Sequence, residues 1–243
     1  MPFSPRLAPH LNGRILTPED PGYDEARQVF NGLVDRRPER ILRPGDTDEV
    51  AAAVELAVGD GRLVSVYGGG HGVTGAAVVD GGVCIDLREL DKVEVWPEER
   101  LLKVGGGARW GPVDAATQAH GLAVTGGRVS TTGVAGLALG SGSGWLERRC
   151  GLTCDNLVEA RVVTAEGRRV TASREQNPDL FWGCAVAAAT SASSPSSSSG
   201  CTTSARSCSA ACCSTPARRR PTWSRPGGSW STGHPRSSAR RSR

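Results

Sequence analysis

Val66-Tyr67-Gly68-Gly69-Gly70-His71-Gly72 is the stretch on which the reading of this chain turns. The residues before it, Leu63-Val64-Ser65-Val66-Tyr67, are apolar or β-branched and read as a strand. The strand stops in three glycines, one histidine and another glycine. Consecutive glycines cost backbone entropy, so a fold that keeps them uses the space or the torsions they allow. One such use is close backbone approach to an anion, with N–H groups turned toward it. A histidine inside such a loop is placed to touch whatever the glycines cradle.

Upstream, Arg40-Ile41-Leu42-Arg43 reads as another strand. Asp46 begins a helix over Thr47–Val58, with Glu49 three residues on as in a capping box and Val50, Val54, Leu56 and Ala57 on one face. This gives a strand–helix–strand unit that delivers the chain into the glycine loop. Further upstream, Tyr23 to Phe30 reads as a short helix inside a polar lead-in over 1–36.

Downstream, Val83–Leu87, Val93–Trp96 and Leu101–Val104 read as short strands. A helix over Gly111–Gly121 and a strand Leu122–Thr125 then run into Gly126-Gly127. Strand, helix, strand and glycine turn therefore occur twice. Val129-Ser130-Thr131-Thr132-Gly133-Val134-Ala135-Gly136-Leu137-Ala138-Leu139-Gly140-Ser141-Gly142-Ser143-Gly144 is dominated by small residues, which suits close packing on a flat group. Val158–Thr164 and Arg168–Ala172 form a hairpin around Ala165-Glu166-Gly167. Short mixed strands with a few helices define an α+β fold class.

The composition breaks near residue 184. Residues 1–183 carry 20 Lys+Arg against 25 Asp+Glu, whereas 184–243 carry 9 Arg and no Lys, Asp or Glu. The second segment has 17 Ser and 5 of the 8 Cys, with no Leu or Ile. Such a segment cannot bury a core, and a disordered tail is expected. A basic arm for nucleic acid is one reading of it, though not the favoured one. Cys208, Cys212 and Cys213 have no C-x-x-C spacing and no nearby histidine, so no metal site is expected. Only Cys84, Cys150 and Cys154 lie in the body, which argues against a disulfide framework. No apolar leader opens the chain, and no run of about 18 apolar residues would cross a membrane. The expected setting is cytoplasmic, with no membrane partner.

Gly70-His71-Gly72-Val73-Thr74-Gly75 matches G-x-G-x-x-G formally. The dinucleotide fingerprint requires a helix to open within the motif. Here Ala76-Ala77-Val78-Val79-Asp80-Gly81-Gly82 breaks too soon, so a Rossmann unit is not expected. A tight turn without any ligand remains the plain alternative for the loop taken alone.

The loop, its histidine and the second small-residue stretch about sixty residues later together resemble the PCMH-type FAD-binding domain of the vanillyl-alcohol oxidase family. More narrowly, the chain is similar to the berberine-bridge-enzyme-like oxidases. The resemblance spans roughly residues 12–183 and rests on several further stretches: Pro21–Asp24, Arg36-Arg37-Pro38, Gly151–Asn156, Val162–Ala165 and Asn177–Trp182. It implies a PCMH-type domain of two α/β subdomains over 37–183, incomplete at its C-terminal end. It also implies a covalent bond from His71 to the flavin 8α carbon of FAD. A neutral imidazole is a competent nucleophile for that bond near pH 7.

The cofactor-binding residues implied are Tyr67, Gly68, Gly69, Gly70, His71, Gly72, Gly126, Val129, Thr131, Thr132, Gly133, Gly136, Gly140, Gly142 and Val163. Some relatives attach the flavin a second time through a cysteine where this chain has Val129, so a single attachment is expected. Ser141 and Ser143 stand where relatives tend to carry glycine and an apolar residue. The implied activity is oxidation of an alcohol, sugar or amine-type C–H of a small-molecule substrate, with no catalytic base assignable. A flavin-binding fragment without catalysis is the alternative.

The tail has a further reading in the same light. Read from the last base of the Gly183 codon with GC-rich synonymous codons, Cys184–Pro195 becomes LRGGGGNFGVVT. That string resembles the family's continuation after Leu180-Phe181-Trp182, so the tail reads as out-of-frame translation.

Overall fold

The computed structural model describes residues 15–190, 210–213 and 215–216. In chain order the first elements are β1 (Ile15–Leu16), α1 (Tyr23–Ala26), β2 (Arg40–Leu42), α2 (Thr47–Gly59), β3 (Val64–Tyr67) and β4 (Val83–Asp86). They build a four-stranded sheet of order β1-β2-β4-β3, in which β2, β4 and β3 are parallel and β1 is antiparallel. All four residues of β4 are buried, as a central parallel strand covered on both faces must be. The α2 helix crosses from β2 to β3 and packs Val50, Val54, Leu56 and Ala57 against Leu42, Val83 and Ile85.

Local chemistry starts α2 where the sequence predicts. The Asp46 carboxylate accepts the Glu49 N–H at 2.8 Å. The Glu49 carboxylate reaches back past the cap to the N–H of Gly45, at 2.7 Å.

The second group comprises β5 (Val93–Trp96), β6 (Leu101–Val104), α3 (Trp110–Gln118), β7 (Leu122–Ala123), α4 (Val134–Leu139), α5 (Glu147–Cys150), β8 (Glu159–Val163), β9 (Arg169–Ser173) and α6 (Pro178–Thr190). Here β5 and β6 pair antiparallel, and β8 and β9 form the expected hairpin. Leu102, Val104, Trp110, Val113, Val124, Val134, Leu157, Ala160 and Val162 share one core cluster. The class is α+β, as the sequence implies.

Three local expectations change. The helix expected from Tyr23 to Phe30 is a single turn ending at Ala26. The small-residue stretch contains a helix, α4, that its glycines hide from a propensity reading. The α6 helix runs past residue 183 through an Ala-rich segment, and Cys184 is buried in the core cluster. Most of the expected tail lies outside the described residues. Within it, β10 (Ala210–Cys213) pairs with β6 and β11 (Thr215–Pro216) with β7.

Ser141 sits at φ 80°, a left-handed conformation that costs an L-residue about 1 kcal/mol or more. It stays there because its carbonyl accepts the Cys154 N–H at 3.0 Å and the neighbouring Gly142 carbonyl accepts Thr153 N–H, also at 3.0 Å. Ser141→Gly is expected to stabilise the fold by about 0.5–1 kcal/mol, because glycine relieves the torsion but loosens the unfolded chain. Thermal unfolding measures this: the midpoint should rise by about 2 °C.

Candidate functional site: a glycine cradle with a histidine at its rim

The glycine loop leaves the C-terminal end of β3, where open parallel sheets place ligands. The strand end is anchored from below. The Tyr67 hydroxyl donates to the Gln28 carbonyl at 2.6 Å. The guanidinium of Arg88 lies 4.2 Å from the centre of the Tyr67 ring. Arg88 also donates to both oxygens of buried Asp86, at 2.8 and 2.7 Å, and Arg43 donates to the same carboxylate at 3.1 Å. Asp86 pairs with Tyr67 in the β3–β4 register, so this ion cluster sits at the root of the loop. Burial raises the Tyr67 hydroxyl above its usual range, which keeps it a neutral donor. Burial pushes the Cys84 thiol up to about 12, so it is a packing residue and no thiolate.

Above the root, Gly69 lies directly against Gly133. A Cβ on Gly69 would stand 2.1 Å from the Gly133 nitrogen, and one on Gly133 would stand 2.5 Å from the Gly69 nitrogen. Two glycine segments sixty residues apart are thereby brought into backbone contact. Gly68, Gly69, Gly70 and His71 donate their backbone N–H groups to no acceptor among the described residues. Consecutive free N–H groups of this kind form an anion-binding concavity.

His71 is at the rim. Its Nε2 lies 2.8 Å from the Thr131 hydroxyl, and its Nδ1 lies 3.5 Å from the Thr132 hydroxyl. Its ring stacks on Phe30 with centroids 4.3 Å apart and planes 17° apart. The Phe30 N–H in turn donates to the Gly70 carbonyl at 3.0 Å. Burial, and then the positive charge of Arg109, holds the imidazole below its ordinary pKa. The ring is therefore neutral at pH 7. A neutral ring with Nε2–H donated to Thr131 leaves the Nδ1 lone pair on the less engaged side.

The residues expected at the site are unequally placed. Tyr67 to His71, Thr131, Thr132 and Gly133 converge. Val129 is exposed on the same segment. Gly126 is pressed by the Trp110 ring, 2.3 Å from a would-be Cβ. Beside that turn, the Trp110 Nε1 and Thr125 Oγ1 are buried without a hydrogen-bond partner among the described residues. Buried polar atoms of this kind call for an unplaced partner. Gly72 and Gly136 face space that no protein atom fills within 4 Å of a Cβ. Gly140 closes α4, and Gly142 takes φ 77° against Thr153. The Val163 side chain is fully buried among α2 and the first sheet, so it supports the core and leaves only its backbone to face a cofactor. Phe30 and Arg109 are the additions. No periodicity marks Phe30, whereas Arg109, a charge between buried Ala108 and Trp110, was a visible anomaly.

An α+β domain whose parallel strands end in an unsatisfied N–H concavity is an anion- or dinucleotide-binding unit. Residues 38–173 match the FAD binding domain family, and the chain belongs to that family. It is 34% identical over 182 residues to (R)-6-hydroxynicotine oxidase of Paenarthrobacter nicotinovorans, covering 74% of this chain and 40% of the relative. Among solved structures, 6-hydroxy-D-nicotine oxidase from Arthrobacter nicotinovorans superposes with a TM-score of 0.72 at 32% identity, covering 76% of this chain and 40% of that one. BBE-like 1 of Physcomitrella patens gives a TM-score of 0.75 at 27% identity, with 86% and 43% covered. The chain thus spans about two fifths of the length of these relatives. The concavity, the open faces of Gly72 and Gly136 and the orphaned atoms at the Gly126 turn fit a cofactor with a pyrophosphate and a flat ring system.

Proposed function

We propose that this chain is the FAD-binding part of a flavoprotein oxidase, with the Gly68–His71 loop around the pyrophosphate and His71 as a covalent tether to the flavin. The observation that carries this reading is the row of four N–H groups, unpaired among the described residues, that ends at a histidine with a lowered pKa. The Thr131 contact orients the imidazole and Phe30 holds its plane, so the Nδ1 lone pair is presented without rotational search. FAD, when bound, supplies a hydride acceptor that oxygen restores, releasing hydrogen peroxide. Glucooligosaccharide oxidase from Acremonium strictum, 29% identical with a TM-score of 0.70, is described with 6-S-cysteinyl, 8α-N1-histidyl FAD. The histidyl link is the one carried over here. With Val129 exposed at the position expected for the second link, attachment is single. The substrate class is a small molecule with an oxidisable C–H beside oxygen or nitrogen, in line with the hydroxynicotine and oligosaccharide oxidases among the relatives.

The test is to express the chain, add FAD, remove free flavin and record the flavin spectrum of the protein. A stoichiometric spectrum supports the reading, and a colourless protein overturns it.

A second reading concerns the composition break. With GC-rich synonymous codons a one-base shift gives a glycine-rich continuation after Trp182, so residues from 184 onward are read as out-of-frame and the substrate-binding half as encoded one base away. Sequencing the gene across codons 180–190 should show a single-base change at a homopolymer or GC-rich run. Restoring that base should yield a longer flavoprotein that releases peroxide with a panel of sugars, alcohols and amines. No gain in length or activity on restoration would end this reading.

A further inference from the structure

Arg109 immediately precedes α3. Its backbone forms an antiparallel bridge with Gly133, the residue that rests on Gly69. The flanking bonds extend this contact: Val134 N–H donates to Ala108 at 2.9 Å, Trp110 N–H to Thr132 at 3.0 Å and Gly111 N–H to Ser130 at 2.8 Å. Arg109 is thus one strand spacing behind the Thr131–Gly133 segment that lines the cradle. The side chain is partly buried and makes no ion pair or hydrogen bond among the described residues. A half-buried guanidinium without an anion is costly unless an anion arrives. By contrast, Arg27, Arg43 and Arg88 each engage a carboxylate. The field of Arg109 reaches both the Tyr67 hydroxyl and the His71 imidazole, at the two ends of the loop.

The geometry points to Arg109 as the counter-charge of the cradle, a side-chain partner for the pyrophosphate diester that the Gly68–His71 N–H groups surround. This inference rests on the FAD reading above and adds to it a charged residue that backbone cradling alone does not require. A guanidinium forms paired hydrogen bonds to phosphate oxygens and is suited to this position as an ammonium is not. The same charge also lowers the imidazole pKa. Among the described residues the other groups facing His71 are Phe30, Thr131 and Thr132, all uncharged, so Arg109 is the charge that tunes it.

The experiment uses the full 243-residue chain as wild type, Arg109→Gln and Arg109→Lys. Affinities for FAD and for inorganic pyrophosphate are measured, together with the His71 pKa by NMR titration without flavin. In Arg109→Gln, both affinities should fall about tenfold or more, as loss of a charged hydrogen bond predicts, and the His71 pKa should rise. Arg109→Lys should keep the His71 pKa near the wild-type value and recover part of the affinity. Circular dichroism of the variants separates this from misfolding. Wild type that binds FAD while Arg109→Gln binds it equally well overturns the Arg109 role alone. Wild type that binds neither FAD nor pyrophosphate overturns both readings. An unchanged His71 pKa in Arg109→Gln also overturns the inference, since the side chain would then point elsewhere.

Discussion

His71→Ala protein loaded with FAD will lose all of its colour to the supernatant on acid precipitation, while the wild-type pellet stays yellow. The expected effect is all-or-none because the proposed tether is a covalent bond. Protonation governs the rate of attachment. Only the neutral imidazole has a lone pair to give, and burial with the Arg109 charge keeps His71 neutral to lower pH than an ordinary histidine. Attachment should be complete at neutral pH and should slow only as pH falls through the depressed pKa. Its acid limb therefore lies below the usual imidazole range near pH 6.5. Thr131→Val should preserve attachment but slow it, because Nε2 loses its hydrogen-bond partner and the ring is no longer held. A wild-type pellet that washes colourless would defeat the tether while leaving non-covalent FAD binding open to measurement.

Gly69→Ala is expected to be severely damaging, because its methyl group would press on the other half of the cradle. The added carbon would lie 2.1 Å from the Gly133 nitrogen and 2.4 Å from its Cα, backbone on both sides, with no flexible side chain to yield. Separation of the two segments is the only relief, and it would open the cradle. Overpacking of this kind costs about 3 kcal/mol or more. The variant should be insoluble, or should melt well below wild type and bind no flavin. Gly136→Ala is the control. Its Cβ meets no protein atom within 4 Å, so thermal stability should change by less than about 0.5 kcal/mol. If the space beside Gly136 belongs to the cofactor, FAD affinity should nevertheless fall. A Gly69→Ala protein as stable as wild type would show that the two glycine segments do not touch.

The loop was legible because glycine runs after a strand have few uses. The strand–helix–strand unit was legible because Asp46, Glu49 and the apolar face of α2 agree with one another. The α4 helix was not, since Val134-Ala135-Gly136-Leu137 carries no helical stripe, and its turn is held by Val134 and Ala135, which bury in the second core. The placing of the Val163 side chain likewise depends on tertiary packing. A resemblance assigns a position to a site, but alternation along β8 sends that side chain into the cluster under α2.

From its residues alone, this chain has an α+β fold class, an anion-shaped glycine loop, a histidine of unusual placement and a compositional break at residue 184. These are local properties, set by torsional freedom, periodicity and charge count. The tertiary structure decided which pieces meet. Gly69 touches Gly133, Thr131 orients His71, Phe30 stacks on that ring from a loop forty residues away, and Arg109 stands behind them with no carboxylate partner among the described residues. Such contacts depend on how two separate cores pack against each other, and no spacing along the chain encodes that distance.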